Sequence, residues 1–381
     1  IAGTYQDSLW KARFSGSVLD TKSTGQESKF NRINADVLRR INSYYIGTRL
    51  ENEDNQQRLF ATDQLTGLSQ KFTGYEVYAG RGDTTTTFVE IGYRNRVNDS
   101  LREGNLSRVN SSNNYYIKSQ PIKNKISNLL IYANYRKLKS ALDGISDEVS
   151  FNSRILYKRK IYGGKILWNT TYETNSARIP RQDFTYVSVN PGQGTFTWID
   201  YNGDGIQDLN EFEVAQFQDQ ASFVRILLPN QVFLPTHQNK FSQTLTLNPI
   251  SWTDETGYKQ FISRFYNQAS YLIDRMVARE GEKFNLNPFQ SSEDQLGLNL
   301  SFRNSLFFNR GKQNFTTNYT YLSTANENLQ SIGSISNDIE SHQLRFLHKV
   351  KDTWLITVNA QSGVNTSSSE NFSNRNYEIN D

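Results

Sequence analysis

The chain has 381 residues, with 42 basic and 38 acidic side chains, a formal net charge of +4 and no cysteine. This balance excludes a concentrated basic surface for nucleic acid, and the lack of cysteine excludes disulfides, thiolate nucleophiles and Cys-ligated metal sites. Aromatic residues reach 13% although the mean hydropathy is −0.67, so the chain is too aromatic for disorder and too polar for a helical enzyme core.

Alternation of apolar and polar residues with a period of two recurs along the chain, whereas helical periodicity is scarce. Near the C-terminus, Phe315, Tyr319 and Tyr321 fall on one face of a predicted strand, and Asn318 and Thr320 fall on the other. The same pattern predicts strands, in chain order, over residues 89–94, 165–172, 315–321 and 354–361.

The predicted connections fall into two length classes. Gly-, Asn- and Asp-containing tight turns are predicted at residues 80–83, 162–164, 309–312 and 351–353. Long polar loops are predicted at residues 51–69, 98–113 and 323–341. Short turns on one rim and long loops on the other are typical of an outer-membrane barrel.

The sequence therefore predicts an all-β fold, a transmembrane antiparallel up-and-down β-barrel with a calcium-loop insertion. Residues 1–190 are expected to form β-hairpin strands, 191–238 the insertion and 239–381 further strands of one continuous barrel. About 16 to 20 strands are expected, too many for side chains alone to fill the lumen. A soluble all-β sandwich is the competing fold.

One twelve-residue segment, residues 200–211, matches the calcium-loop pattern at every specified position. Carboxylate, amide and backbone oxygens suit a hard cation such as Ca²⁺, Gly205 permits the sharp turn, and Glu211 is placed to bind in a bidentate manner. The predicted calcium ligands are Asp200, Asn202, Asp204, Ile206 through its carbonyl, Asp208 and Glu211. An ion-free polar turn is the alternative.

The flanks of this loop differ from those of a complete EF-hand. Residues 195–199 are predicted as a strand where the incoming helix belongs, and only residues 209–217 are expected to form a short helix. A stabilising clip is therefore expected, with affinity in the weak extracellular range of about 10⁻⁴–10⁻³ M.

No sequence motif supports catalysis. The chain lacks a Gly-x-Ser-x-Gly elbow and a phosphate-binding Gly-x-x-x-x-Gly-Lys segment, and its three histidines have no metal-ligand spacing. We expect no enzyme activity and no catalytic residues.

The segment from Gly194 to Glu213, continued by residues 219–221 and 239–249, resembles large outer-membrane proteins of Bacteroidota. The resemblance covers about 60 residues. It implies a location in the bacterial outer membrane and, for function, either nutrient transport or the translocon of the type 9 secretion system.

The expected function is that of a pore, translocon or outer-membrane assembly component, with the lipid bilayer and other outer-membrane or surface proteins as partners. A secreted or surface-anchored calcium-binding all-β adhesin is the alternative. The C-terminal residues Asn380 and Asp381 are polar where barrel chains often end in an aromatic residue, so we expect the sequence to be part of a longer polypeptide.

Overall fold

The chain folds almost entirely into antiparallel β-strands in the computed structural model, which describes residues 1–83, 85–142, 144–279, 281–291, 294–312, 314–330, 333–351, 353–369 and 376–381. It forms two compact units, residues 1–158 and residues 159–381.

The strands up to the point of division are β1 (Ala2–Gln6), β2 (Trp10–Lys22), β3 (Gln26–Ile41), β4 (Tyr44–Leu59), β5 (Gln70–Gly82), β6 (Phe88–Arg102), β7 (Asn105–Lys123), β8 (Ser127–Ser140) and β9 (Glu148–Ile161). From β1 to β8 each strand pairs with the next in an antiparallel register.

The second unit continues with β10 (Ile166–Ser188), β11 (Phe196–Trp198), β12 (Phe212–Val214), β13 (Phe223–Leu247), β14 (Phe265–Ala278), β15 (Gln295–Phe308), β16 (Phe315–Gln330), β17 (Gly333–Val350), β18 (Trp354–Ser369) and β19 (Tyr377–Asn380). β10 pairs with β13, and from β13 to β19 each strand pairs with the next. One short helix, α1 (Tyr258–Ile262), lies between β13 and β14 within the described ranges.

This order confirms the predicted all-β, antiparallel, up-and-down fold. The nineteen strands of the described residues fall within the predicted number, and the four strands predicted from alternation lie in β6, β10, β16 and β18. Among the described residues, none of the helices is long and apolar enough to span a membrane.

The three long polar segments consist mostly of paired strands, which corrects the sequence prediction, and only residues 60–69 of the first form the expected loop. β4 extends through polar residues to Leu59, and β6 and β7 meet at a tight turn between Arg102 and Asn105. β16 and β17 occupy most of 323–341, of which residues 331 and 332 lie outside the described ones. Backbone hydrogen bonds form the ladder whatever the side-chain polarity, so polar segments can extend a hairpin into water.

Two predicted turns are confirmed and one is displaced. Tyr162–Gly164 forms a 3₁₀ turn, and residues 309–312 connect β15 to β16. Residues 80–82 are the end of β5, and the turn begins at Asp83, whose carboxylate accepts hydrogen bonds from Thr85 and Thr86. These bonds, first that of the Thr85 hydroxyl, lower the pKa of Asp83. The last predicted turn contains Asp352, which lies outside the described residues.

The predicted insertion is shorter than expected, and its outgoing helix is replaced by a strand. β13 begins at Phe223, opposite Ser188, so strand pairing resumes inside the segment 191–238. Only a 3₁₀ turn at Leu209–Glu211 precedes β12, which pairs with β11. The Phe212 ring stacks on Tyr186 at 4.0 Å, a contact that favours the extended backbone over the predicted helix.

The two faces of the strands differ in chemistry. In β5, Tyr75 and Val77 are 43% and 46% exposed, whereas Glu76 and Tyr78, which alternate with them, are 5% and 6% exposed. Ile46, Leu50 and Ile91 are also exposed on neighbouring strands. The period-two pattern thus places apolar groups on the open face and polar groups on the covered face.

Tyrosine rings on the covered face lie against glycines of the neighbouring strand. Tyr78 is opposite Gly47, and a Cβ atom built on Gly47 would lie 2.3 Å from the Tyr78 ring. Tyr116 lies in the same way against Gly92. Each ring therefore occupies the space that a side chain at the glycine position would fill. The glycine thus allows the ring to pack closely against the neighbouring strand.

We expect Gly47→Ala to destabilise the sheet by about 1–3 kcal/mol, because the new methyl group must displace a buried ring that is hydrogen-bonded to Asp36. The urea unfolding midpoint in detergent measures the effect. Gly74→Ala is the matched control, since its Cβ would meet only ordinary contacts from 3.5 Å outward. Equal midpoints for the two variants would contradict the role given to the tyrosine–glycine pair.

Candidate functional site

A continuous row of charged and polar side chains crosses the covered face of the first unit. The strand register places Arg49 beside Glu76, Glu76 beside Arg94, Arg94 beside Asn114, and Asn114 beside Arg136. Directly opposed residues on one face of a sheet have Cβ atoms about 5 Å apart. Neighbouring side chains of the row therefore lie close together from β4 to β8, although Arg49 and Arg136 at its two ends are 87 residues apart in sequence.

The carboxylates on this face are held by tyrosine hydroxyls as well as by cations. Glu76 accepts a hydrogen bond of 2.6 Å from Tyr116 and forms an ion pair of 3.3 Å with Arg49. Asp36 accepts a bond of 2.8 Å from Tyr78 and lies 3.8 Å from the same arginine. A carboxylate that is partly or fully removed from water needs such hydrogen-bond partners, so these contacts fix the side chains in place.

A second group repeats this arrangement four residues further along the strands. Glu90 accepts a hydrogen bond of 3.0 Å from Tyr45 and forms an ion pair of 3.3 Å with Lys118. The Lys118 ammonium also lies 4.4 Å from the centre of the Tyr116 ring, within the range of a cation–π interaction. We call these two hydrogen-bonded groups the polar wall.

This wall borders a cavity of about 520 Å³ within the first unit. One carboxylate, Glu76, lines it together with amide, hydroxyl and basic side chains. The basic lining residues are Arg49, Arg94, Arg96, Lys118 and Arg136. The cavity is thus basic and hydrogen-bonding in character, which favours anionic or polar solutes over apolar ones.

The opposite face of the same strands carries an apolar groove of about 570 Å³. Val77, Ile91 and Ile117 line it together with a row of tyrosines. The rings of Tyr93 and Tyr115 lie 5.2 Å apart, centre to centre. Charged and apolar surfaces are therefore separated only by the thickness of one sheet.

The predicted calcium loop folds as a series of turns closed by its own side chains. Asp200 accepts hydrogen bonds from the backbone of Gly203 at 2.7 Å and Gly205 at 2.9 Å. Asn202 accepts from the backbone of Asp204, and Asp204 accepts from the backbone of Ile206. Gly203 and Gly205 have φ of +74° and +72°, values that favour glycine, so the sequence pattern matches the local backbone.

Two of the predicted ligands differ in exposure. Glu211 is 2% exposed and accepts a hydrogen bond of 2.9 Å from the Trp198 indole, whereas Asp208 is exposed. The described residues contain no group of three or more His, Asp or Glu side chains arranged to hold a metal ion. Nearby, Tyr201 donates a hydrogen bond to Glu213, and this bond raises the pKa of the phenol.

Sequence reasoning missed a covered polar patch in the second unit. His237 and Asn239 on β13 are buried beneath residues 281–289. The Asn239 amide donates a hydrogen bond of 2.6 Å to the carbonyl of Asn285. The Phe284 ring packs edge-on against His237 at 5.3 Å between ring centres. These contacts hold the segment before β15 against the sheet.

The charged face was also missed, although a signal for it exists. Arg94, the last residue of a predicted strand, is two residues from Arg96, and Glu51 is two residues from Glu53 in a segment predicted as a loop. Charges spaced by two indicate one charged strand face. Their cross-strand partners depend on register, which the sequence pattern does not specify.

No protein-family model and no curated protein sequence matches the chain. Among solved structures it is similar to the crystal structure of Pseudomonas aeruginosa OccK8 (OprE), with 12% identity and a TM-score of 0.23 over 94% of this chain and 89% of that one. At that TM-score the likeness carries no argument about function. The resemblance to Bacteroidota proteins stays a prediction.

We expect Glu76→Ala to lower the free energy of unfolding by about 1–3 kcal/mol, because Arg49 and Tyr116 lose a charged acceptor while partial exposure of Arg49 lets water offset part of the loss. Urea unfolding in detergent checks this value. Glu76→Gln, which retains an acceptor, should be milder. Asp20→Ala, at an exposed strand position, is the control and should leave the midpoint unchanged; a loss as large as that of Glu76→Ala would contradict the assignment.

Proposed function

We propose that the chain forms a membrane-spanning antiparallel β-barrel of the bacterial outer membrane and acts as a pore. The observation that carries this proposal is the partition of β5 and its neighbours into an open apolar face and a covered charged face. Lipid suits the first face and an aqueous lumen suits the second. The up-and-down strand order supports the same arrangement, because each strand finds its hydrogen-bond partner in the next.

The distribution of buried residues favours the pore over a soluble adhesin. A soluble all-β domain buries its apolar face, but here the buried side chains include Glu76, Arg275 and His237, while Ile91 is 58% exposed. Large exposed apolar surfaces in water are rare in monomeric soluble proteins. In a bilayer the same surface is covered by acyl chains, which removes this cost.

The basic cavity favours a role in passing polar solutes over a purely structural role. Its lining side chains are charged or hydrogen-bonding, and a water-filled lumen hydrates them without further partners. A translocon or an assembly component would share this architecture. The chemistry of the cavity favours solute passage over these two roles. No catalytic role is proposed.

We further infer that the Asp200–Glu211 segment, residues 200–211, binds calcium as a local clip. The match at every specified position supports it, and so do the glycine-containing turns in which the side chains of Asp200 and Asn202 accept backbone hydrogen bonds. Calcium would draw the Glu211 carboxylate away from Trp198. The clip would stabilise the β11–β12 hairpin, while the strand ladder is held by its own backbone hydrogen bonds.

Membrane assembly provides the first test. We expect Ile356→Arg to reduce recovery in the outer-membrane fraction, because a charge on the lipid-facing surface costs roughly 2–4 kcal/mol near the bilayer midplane. Thr357→Arg, at the adjacent position on the other face, is the matched control and should assemble. Heat-modifiable migration on detergent gels reports folding, and purified protein in planar bilayers reports conductance. Release of the wild-type protein by carbonate, or equal effects of both variants, would favour the soluble alternative.

Calcium binding provides the second test. We expect calorimetry on the full chain in detergent to give a dissociation constant of about 10⁻⁴–10⁻³ M, and Glu211→Gln or Asp200→Ala to weaken it by about tenfold or more. Asp219→Asn removes an exposed carboxylate outside the motif and should have no effect. Trp198 fluorescence should change on calcium addition in the wild type and not in Glu211→Gln. The absence of calcium-dependent heat would leave the segment as an ion-free turn.

A further inference from the structure

Three arginines meet on the covered face of the first unit at a position where the intervening side chains are small. Arg94 and Arg96 lie two residues apart on β6 and so share a face, and Arg136 on β8 is separated from Arg94 only by Asn114. Ser112 stands beside Arg96 on β7. We call Arg94, Arg96 and Arg136 the arginine patch.

The patch carries more positive charge than its own partners neutralise. Arg94 is paired with the carboxylate of Glu51. Arg96 instead donates through Nε to the Asn98 side chain at 2.8 Å, and Arg136 forms no ion pair with any residue that the structure describes. By contrast, Arg49 and Lys118 on the same wall have carboxylate partners at 3.3 Å. The excess charge is therefore local to the patch.

The side chain of Arg96 is fixed in place before any ligand arrives. Its guanidinium lies 3.8 Å from the centre of the Phe72 ring, and its Nε is occupied by Asn98. Stacking orients the planar group, and the two terminal nitrogens remain for other acceptors. A pre-oriented guanidinium loses little freedom when it binds, which favours affinity.

The space beside the patch can receive a small solute. The 520 Å³ cavity is lined by all three arginines and by amide and hydroxyl groups of Asn98, Ser112 and further residues. Cavities of roughly 300–1,000 Å³ accommodate small ligands. Neutral donors next to the guanidinium groups can complete the hydrogen bonding of an oxyanion.

We propose that the arginine patch is a binding site for small oxyanions, carboxylate or phosphate, on the polar face of the first unit. A guanidinium presents two parallel N–H donors that match two oxygens of either group. Three like charges on neighbouring positions repel one another, and a bound anion relieves that repulsion. The site rests on the proposed pore for its place along a solute path, while its binding chemistry depends on the patch alone.

Calorimetry on the full chain in detergent at low salt tests binding directly, with sodium succinate and sodium phosphate as separate probes. We expect Arg136→Gln and Arg96→Gln each to weaken binding by about tenfold, as expected for loss of one charge-assisted contact. Binding of succinate alone or phosphate alone supports the site and identifies its class. Absence of heat with both probes in the wild type overturns it.

Two further variants distinguish binding at the arginine patch from an effect of net charge, and a folding assay distinguishes it from misfolding. Lys139→Gln removes one positive charge from the opposite face of β8, three residues from Arg136, and should bind like the wild type. Arg136→Lys retains the charge without the paired donors and should give an intermediate affinity. Each variant is compared by heat-modifiable migration. Equal weakening by Lys139→Gln and Arg136→Gln would overturn the proposal, since only net charge would then matter.

Planar-bilayer recordings distinguish failure of the site from failure of the pore. In a salt gradient the wild type should prefer anions, and the double variant R96Q/R136Q should lose at least about half of that preference, while K139Q retains it. Conductance with the same selectivity in all three proteins overturns the arginine site and leaves the pore. Calorimetric binding without any conductance supports the site and contradicts the pore.

Discussion

Backbone hydrogen bonding between neighbouring strands is the constraint on which the other features of this chain depend. Each antiparallel pairing fixes a register, and the register decides which side chains stand next to each other on a face. A shift of one residue would exchange the apolar and charged faces of a strand. The pairing Arg49–Glu76–Arg94, for example, exists only because β4, β5 and β6 are aligned as they are.

The register also explains how charged groups can be covered in so polar a chain. Tyr78 and Tyr116 fill the space left by glycines on the neighbouring strands and bring their hydroxyls to Asp36 and Glu76. One residue type thus packs the wall and satisfies its carboxylates. Arg96 and Arg136 form no ion pair with a described carboxylate, so this part of the covered face keeps an excess of positive charge. Packing and electrostatics are therefore set by the same cross-strand pairs.

The open face follows the opposite chemistry for the same reason. Val77 and Ile91 stand on the reverse side of the strands that hold Glu76 and Glu90. An apolar surface of this kind is unfavourable in water and favourable against lipid, whereas the polar face requires water or paired groups. The hairpin β11–β12 stands apart from this alternation, since it is closed by the Phe212–Tyr186 stack and by turns around Asp200.

The sequence by itself determined the all-β class, the strands around Phe315, Trp354 and Val89, and the turn conformation of residues 200–206, because these depend on local alternation and on residues that favour turns. It did not determine that residues 51–59 and 98–113 are strands, since hydrated polar strands and polar loops have the same composition. Residues 212–214 form a strand and not the predicted helix because Phe212 packs against Tyr186 and Phe223, whose positions the local sequence does not specify. The meeting of Arg96, Ser112 and Arg136 required register, a property of paired strands that no single segment encodes.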